Sequence, residues 1–482
     1  MFASINKIKN TLKSMLILGC AVTALTVGEI ATAQENQPNV VVIFVDDMGY
    51  GDLGTYGHPT IRTPNLNQMA TEGMKWTNFY SPANVCSPSR AGLMTGRLPI
   101  RSGMQGDGEG LRVLFPFSAG GLPATEKTIA EVLKDKGYAT AAVGKWHLGH
   151  LPQFLPTSQG FDSYFGIPYS NDMNQVQELT KAGYPDTFFE EPDIRKWNVP
   201  LMRDEKIVER PADQTTITKR YTEEAVKFIN QKKDGPFFLY LAHNLPHVPL
   251  FASNDFLGTS DAGFYGDVIE EIDWSVGQVL GALKDNDLDD NTLVVFTSDN
   301  GPWLMFKHHG GTAGLLKDGK GTTYEGGMRV PGIFHWPGKI KPGVIHDIGS
   351  AMDILPTVAA MTNSDLPDDR IYDGVDLSPV LFEGKEGGHE TIFYYRRHEL
   401  MAVRYGDFKA HFMTESSYRD DNEYAVHATP YLYNLMVDPS EKYNIAADHP
   451  DVIAAIRDIA TKHKASVRPV ENQFNKVVDF DF

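Results

Sequence analysis

Residues 40–45 read Val40-Val41-Val42-Ile43-Phe44-Val45, and the next two are Asp46 and Asp47. Six apolar residues without polar alternation describe a strand covered on both faces, as the strands of parallel sheets are. An acidic pair directly after such a strand places reactive groups at the end of a buried element. The same design recurs down the chain. Residues 75–80 lead toward Cys86, 138–143 into Gly144-Lys145-Trp146-His147, 237–242 into His243 and His247, and 293–297 into Asp299-Asn300. Helix-like stretches lie between them at 127–136, 222–232, 268–284 and 352–361. Alternating strand and helix predicts an α/β fold with a large mixed, mostly parallel sheet flanked by helices. Ligands bind such sheets beyond the carboxyl ends of the strands. All five reactive clusters fall at such ends, so one shared site is expected there.

The 482 residues suit two unequal lobes better than one core. From about residue 366 the pattern changes. Short strands are predicted at 392–395, 400–404 and 408–413, with Tyr405-Gly406-Asp407 as a hairpin turn. Residues 431–435 add another strand and 450–465 a closing helix. The expected division is a catalytic domain over 34–365 and a smaller α+β lobe with an antiparallel sheet over 366–482. Residues 469–482 read as a loose tail.

The N-terminus reads as a signal peptide over residues 1–33. Lys7, Lys9 and Lys13 precede an apolar stretch at 15–27, and Ala31-Thr32-Ala33 forms a small-x-small cleavage site. That apolar stretch is too short for a comfortable membrane span, and no later segment looks membrane-spanning. The expectation is export to the periplasm or beyond. Leu18-Gly19-Cys20 also fits a lipoprotein, but apolar residues continue past Cys20, which makes lipid anchoring the lesser reading. The two cysteines are Cys20 and Cys86, so cleavage leaves Cys86 with no internal disulfide partner. A formal net charge of -18 offers no basic excess for nucleic acid.

Asp46, Asp47, Asp299 and Asn300 offer only oxygen ligands, which suit calcium or magnesium. Zinc would call for His or Cys. Either pair alone would read as a turn. Pro88 suits the first turn of a helix, which sets Cys86 beside a helix N-terminus, where anions are attracted. Arg90 falls about one turn further on, placed to hydrogen-bond a nucleophile at 86. Lys145 and His147 are two apart, so an extended segment points both to one side.

The run Cys86-Ser87-Pro88-Ser89-Arg90, followed by Ala91-Gly92-Leu93-Met94-Thr95-Gly96-Arg97, resembles the signature of the type I sulfatases. The resemblance spans about residues 38–447 and is closest to the arylsulfatase A and N-acetylgalactosamine-6-sulfatase branch. It implies an alkaline-phosphatase-like fold and conversion of Cys86 to formylglycine, whose hydrate attacks sulfate esters. It also implies one divalent cation, usually Ca2+, with Mg2+ less expected, on Asp46, Asp47, Asp299 and Asn300. His247 matches the family histidine that faces the leaving group. Lys320, in Gly319-Lys320-Gly321-Thr322-Thr323-Tyr324-Glu325, matches a second lysine that grips sulfate. Ser170, His243 and His427 match substrate-side positions, while Asn171-Asp172-Met173 departs from arylsulfatase A. The expected partners are a sulfated carbohydrate and, during maturation, a formylglycine-generating enzyme. The substrate implied is a galactose or N-acetylgalactosamine unit of a carrageenan-like or chondroitin-type polysaccharide. Three alternatives stand beside it: a broad arylsulfatase, a formylglycine-dependent phosphonate or phosphate ester hydrolase, and a catalytically silent binder of sulfated glycans. Arg396, Arg397 and His398 are either contacts for neighbouring sulfates or a solvated charged face.

Overall fold

A computed structural model describes residues 37–106, 110–176, 192–417 and 424–478. The signal-like segment and Cys20 lie outside the described residues. One sheet contains β1 (Asn39–Val45), β2 (Met74–Tyr80), β3 (Ala139–Gly144), β4 (Ser163–Gly166) and β5 (Leu201–Arg203). It also contains β6 (Lys206–Glu209), β7 (Phe237–Ala242), β8 (Thr292–Ser298), β9 (Arg329–His335) and β10 (Gly343–Ser350). The order is β10-β2-β9-β8-β1-β7-β3-β4-β5-β6. The middle strands β8-β1-β7-β3-β4 are all parallel. Antiparallel pairings of β9, β5 and β6 make the outer parts mixed.

β1 is central and wholly buried, as its continuous apolar run requires. Alternate residues feed opposite faces. Val41, Ile43 and Val45 pack into one core with α1 (Pro64–Glu72), and Val40, Val42 and Phe44 pack into the other with α2 (Cys86–Thr95) and α3 (Ile129–Lys134). α4 (Ile217–Lys232) and α5 (Gly263–Asp285) complete the first layer, and α6 (Ile354–Met361) completes the second.

A second, antiparallel sheet runs β11 (Thr391–Arg396), β12 (Glu399–Tyr405), β13 (Phe408–Thr414) and β14 (Ala425–Asn434). α7 (Pro450–Ser466) covers it, with Ile453 and Ile456 set against Leu400 and Val403. Two expectations need correction. Leu377, Val380 and Leu381 pack into the α6 side of the large lobe, so the small lobe's own core begins only with β11. The tail as far as residue 478 is also docked rather than loose. Phe474 is 1% exposed in the same core, and the Gln473 amide donates to the Gly103 carbonyl.

The lobes meet across a buried ionic cluster. Glu325 accepts hydrogen bonds from Tyr80 at 2.6 Å, Tyr394 at 3.0 Å and Lys409 at 2.9 Å. Glu441 accepts from Lys409 at 3.1 Å, from His411 at 2.7 Å and from the Glu325 amide at 2.7 Å. Burial works against the charge on Glu325, but Lys409, Arg329 and Arg404 outweigh it and hold the carboxyl at about 2, below its ordinary 4.5. A carboxylate with a depressed folded pKa stabilises above its unfolded pKa and loses that contribution as pH falls through the folded value. Lys409→Met should therefore cost about 3–5 kcal/mol near neutrality. In urea titrations the gap between variant and parent should narrow as pH drops below 4.5 toward 2. A gap that stays constant with pH would refute this account of the cluster.

Candidate active site

β1 and β8 are adjacent and parallel, with Val45 opposite Ser298. Their carboxyl ends therefore release Asp46-Asp47 and Asp299-Asn300 side by side. The Asp47 amide donates to Asp299 Oδ1 at 3.1 Å, and Asn300 Nδ2 donates to Asp47 Oδ1 at 2.7 Å. Asp46, Asp47, Asp299 and Asn300 are all buried. Burial raises Asp47 to about 6, with the Asp46 charge adding to the rise and Lys320 opposing it. Burial and Asp46 likewise raise Asp299 to about 7 against the pull of Arg90. Asp46 goes the other way. Burial opposes its charge, but Lys145, Arg90 and Lys320 hold it well below the usual carboxylate range.

α2 begins at Cys86 itself rather than at Pro88, so Cys86 occupies the first helical turn. Its Sγ donates to Asp46 Oδ1 at 3.3 Å. Burial and the Asp46 charge push the thiol well above its ordinary pKa. Arg90, one turn on, does not turn to residue 86. Its Nε and Nη2 donate to Asp299 Oδ2 at 3.1 and 2.8 Å, and Nη1 donates to the Lys145 carbonyl at 2.9 Å. Arg90 thus ties the ends of β8, β3 and α2 together.

β3 ends in Gly144 at φ +113, where a Cβ would lie 1.8 Å from the Ala242 carbonyl. Only glycine permits that approach. Lys145 follows, donating to Asp46 Oδ2 at 2.5 Å and to Ser170 Oγ at 3.1 Å. His147 joins it, but at φ +60 rather than on the extended segment expected. His147 Nε2 lies 2.8 Å from the Leu114 carbonyl, which requires the proton on Nε2. Nδ1 is then an acceptor, and it is buried with no hydrogen-bond partner. Burial and Lys145 push the imidazole well below its ordinary pKa, so it is neutral.

His247 Nδ1 lies 2.5 Å from the Val248 carbonyl, while Nε2 faces Ser170 Oγ at 3.5 Å and Asp47 Oδ2 at 3.7 Å. Burial and Lys320 keep this ring neutral too. Lys320 Nζ lies 2.8 Å from Asp47 Oδ2, 3.5 Å from Cys86 Sγ and 4.3 Å from the centre of the Trp303 ring. The Lys320 carbonyl accepts from Ser417 Oγ of the small lobe at 2.7 Å.

Cys86, His147, Ser170, His247 and Lys320 line one cavity of about 290 Å³, with Arg112, Asp172 and Trp303 in its walls. Trp303 was missed in the sequence, although it stands three residues after Asn300. His243 does not reach the cavity. Its Nε2 pairs with Ser275 Oγ of α5 at 3.1 Å, its ring lies against Tyr221 of α4, and burial lowers its pKa to about 3. His427 is also elsewhere, bonded to Thr414 and stacked on Tyr431 at 3.8 Å. Arg396 and Arg397 are paired with Glu415 at 3.0 and 3.3 Å, so they form no open basic face. A cavity of about 670 Å³ beside Tyr50 and Tyr56 is lined by no cysteine, lysine or carboxylate among the described residues. In another of about 430 Å³, Arg97, Arg101 and Arg370 are matched by Glu126, Asp373 and Asp369.

Within the site Arg90, Lys145 and Lys320 match Asp46, Asp47 and Asp299 one for one. Donor atoms of Asp46, Asp47, Cys86 and His247 lie within 4.8 Å of one another, the one such cluster among the described residues. Asn300 Oδ1 beside them is buried and lacks a hydrogen-bond donor. Buried carboxylates with raised pKa values and an orphaned amide oxygen fit a hard divalent cation.

Residues 38–364 match the family described as Sulfatase, and residues 387–480 match the family described as C-terminal region of aryl-sulfatase. Human arylsulfatase A is 42% identical over 445 residues, covering 88% of this chain and 87% of that protein. The N-acetylgalactosamine-6-sulfatase of Canis lupus familiaris is 38% identical over 482 residues, covering 92% and 89%. Among solved structures, the PsFucS1 sulfatase from Pseudoalteromonas sp. superposes with a TM-score of 0.80 at 28% identity, covering 95% of each chain. Ps i-CgsB, solved with k-i-k-neocarrahexaose, gives a TM-score of 0.74 at 30% identity, covering 92% of this chain and 95% of that one. The chain belongs to the sulfatase family of the alkaline phosphatase superfamily and is a sulfuric ester hydrolase.

Calcium added to chelator-treated protein should raise its thermal midpoint, since a ligand at a hundredfold its Kd contributes about 2.7 kcal/mol. Asp47→Asn should shrink that rise. An equal rise in parent and variant would remove Asp47 from the ligand set.

Proposed function

We propose that this sulfatase removes O-sulfate from a galactose or N-acetylgalactosamine unit of a carrageenan-like or chondroitin-type polysaccharide. We further propose that Cys86 acts as formylglycine and that Asp46, Asp47, Asp299 and Asn300 hold one Ca2+. The observation that carries this reading is the convergence of Cys86, His147, Ser170, His247 and Lys320 on one cavity above the buried carboxylates. A sulfatase named for N-acetylgalactosamine-6-sulfate and a similar fold solved with a neocarrahexaose support the choice of sugar. The leader-like residues 1–33 support export.

As a formylglycine hydrate, residue 86 would supply one hydroxyl to attack the ester sulfur and a second whose deprotonation expels sulfate. A bound Ca2+ would offset charge on the sulfate oxygens. Lys320 lines the cavity and Lys145 lies just behind it on Asp46 and Ser170, and the two lysines offset charge on the same oxygens. His147 Nδ1, unprotonated and unpartnered, takes the proton released at residue 86. His247 is neutral in the free enzyme, with Nε2 as its open nitrogen. An anionic ester beside Nε2 favours protonation there, which equips His247 to donate to the leaving oxygen.

Mass spectrometry of the residue-86 peptide from the native host should show the aldehyde, and Cys86→Ala should abolish sulfate release. His247→Gln should slow a glycosyl sulfate by about a hundredfold or more but 4-nitrophenyl sulfate by less than about tenfold, because a phenolate leaves without a proton. Faster turnover of phosphonate monoesters than of any sulfate ester would sink the carbohydrate sulfatase reading.

A further inference from the structure

One group in the cavity has no part in the steps above. Asp172 lines it together with Cys86, Ser170, His247 and Lys320. Its Oδ1 is buried and meets no hydrogen-bond donor. Burial raises its pKa, while the charges of Lys145 and Lys320 and a hydrogen bond from Ser170 draw it down.

This carboxylate is an electrostatic liability. Among the described residues, Asp172 is the one acidic side chain in the lining of a cavity that must admit an anionic ester. An unpaired acceptor at such a place also carries a desolvation cost. Neither sulfate binding nor the chemistry at residue 86 is served by it. A substrate that brings its own donor would satisfy Oδ1. Sulfate oxygens cannot donate, and neither can an aryl ring. A sugar carries hydroxyls on the carbons next to its sulfated one. Phe115, Met173 and Trp303 supply apolar wall for the faces of such a ring, alongside the polar Asp172.

We infer that Asp172 is a specificity-determining residue that accepts a hydrogen bond from a hydroxyl of the sulfated sugar, and so selects glycosyl sulfates over aryl sulfates. The inference rests on the carbohydrate reading above and assigns a residue to it.

The test uses full-length, formylglycine-bearing enzyme and its Asp172→Asn and Asp172→Ala variants. Each preparation is assayed on a 6-sulfated galactose or N-acetylgalactosamine oligosaccharide and on 4-nitrophenyl sulfate. The quantity read is the ratio of the two kcat/KM values, in which folded fraction and formylglycine content cancel. The ratio should fall about ten- to a hundredfold, the loss expected for a hydrogen bond to a charged acceptor. The loss should sit in KM for the sugar, whereas a leaving-group effect would sit in kcat. An unchanged ratio in an enzyme that does hydrolyse the sugar sulfate overturns the role of Asp172 alone. Parent enzyme that turns over 4-nitrophenyl sulfate but no glycosyl sulfate overturns the carbohydrate reading and this inference with it.

Discussion

Like charges gathered at the ends of two neighbouring strands govern the architecture of this site. β1 and β8 run parallel in register and deliver Asp46, Asp47 and Asp299 into a space closed to solvent. Burial raises Asp47 and Asp299, and repulsion from Asp46 adds to the rise. Three cations answer that repulsion. β3 brings Lys145, α2 brings Arg90, and the loop after β8 brings Lys320. The sheet order helps, since β3, which leads into Lys145, lies one strand away from β1 across β7.

The two neutral histidines differ in which ring nitrogen their backbone partners leave open. A carbonyl at Leu114 fixes the proton of His147 on Nε2, and a carbonyl at Val248 fixes that of His247 on Nδ1. Each ring therefore offers a different nitrogen, and the chain rather than the substrate makes the choice. Burial, aided by Lys145 at His147 and Lys320 at His247, keeps both rings uncharged at rest.

Much of this was legible because it is local. An unbroken apolar run marks a central strand, and the polar residues after it must sit at a strand end, so Asp46, Lys145 and Asp299 could be placed from pattern alone. His243 and His247 show where pattern fails. Both follow β7, yet one turns into the helices and the other into the cavity, a difference set by the path of the intervening residues. Segment 366–386 was misassigned for a similar reason, since its apolar side chains carry no mark of which core they will join. Lys320 lies in an irregular loop whose place is fixed by contacts with a distant part of the chain. Only its resemblance to a family motif singled it out.

Those distant contacts bear on how proteins of this architecture can diverge. The carbonyl of Lys320 is held by Ser417, and the loop that carries Lys320 ends at Glu325, whose amide is held by Glu441. Two matched family regions thus share responsibility for one lysine. Recombining the small lobe of one relative with the large lobe of another would graft a foreign support beneath that lysine. The two regions are therefore constrained to change together, and the lobe that carries no reacting group is inherited as part of the active site.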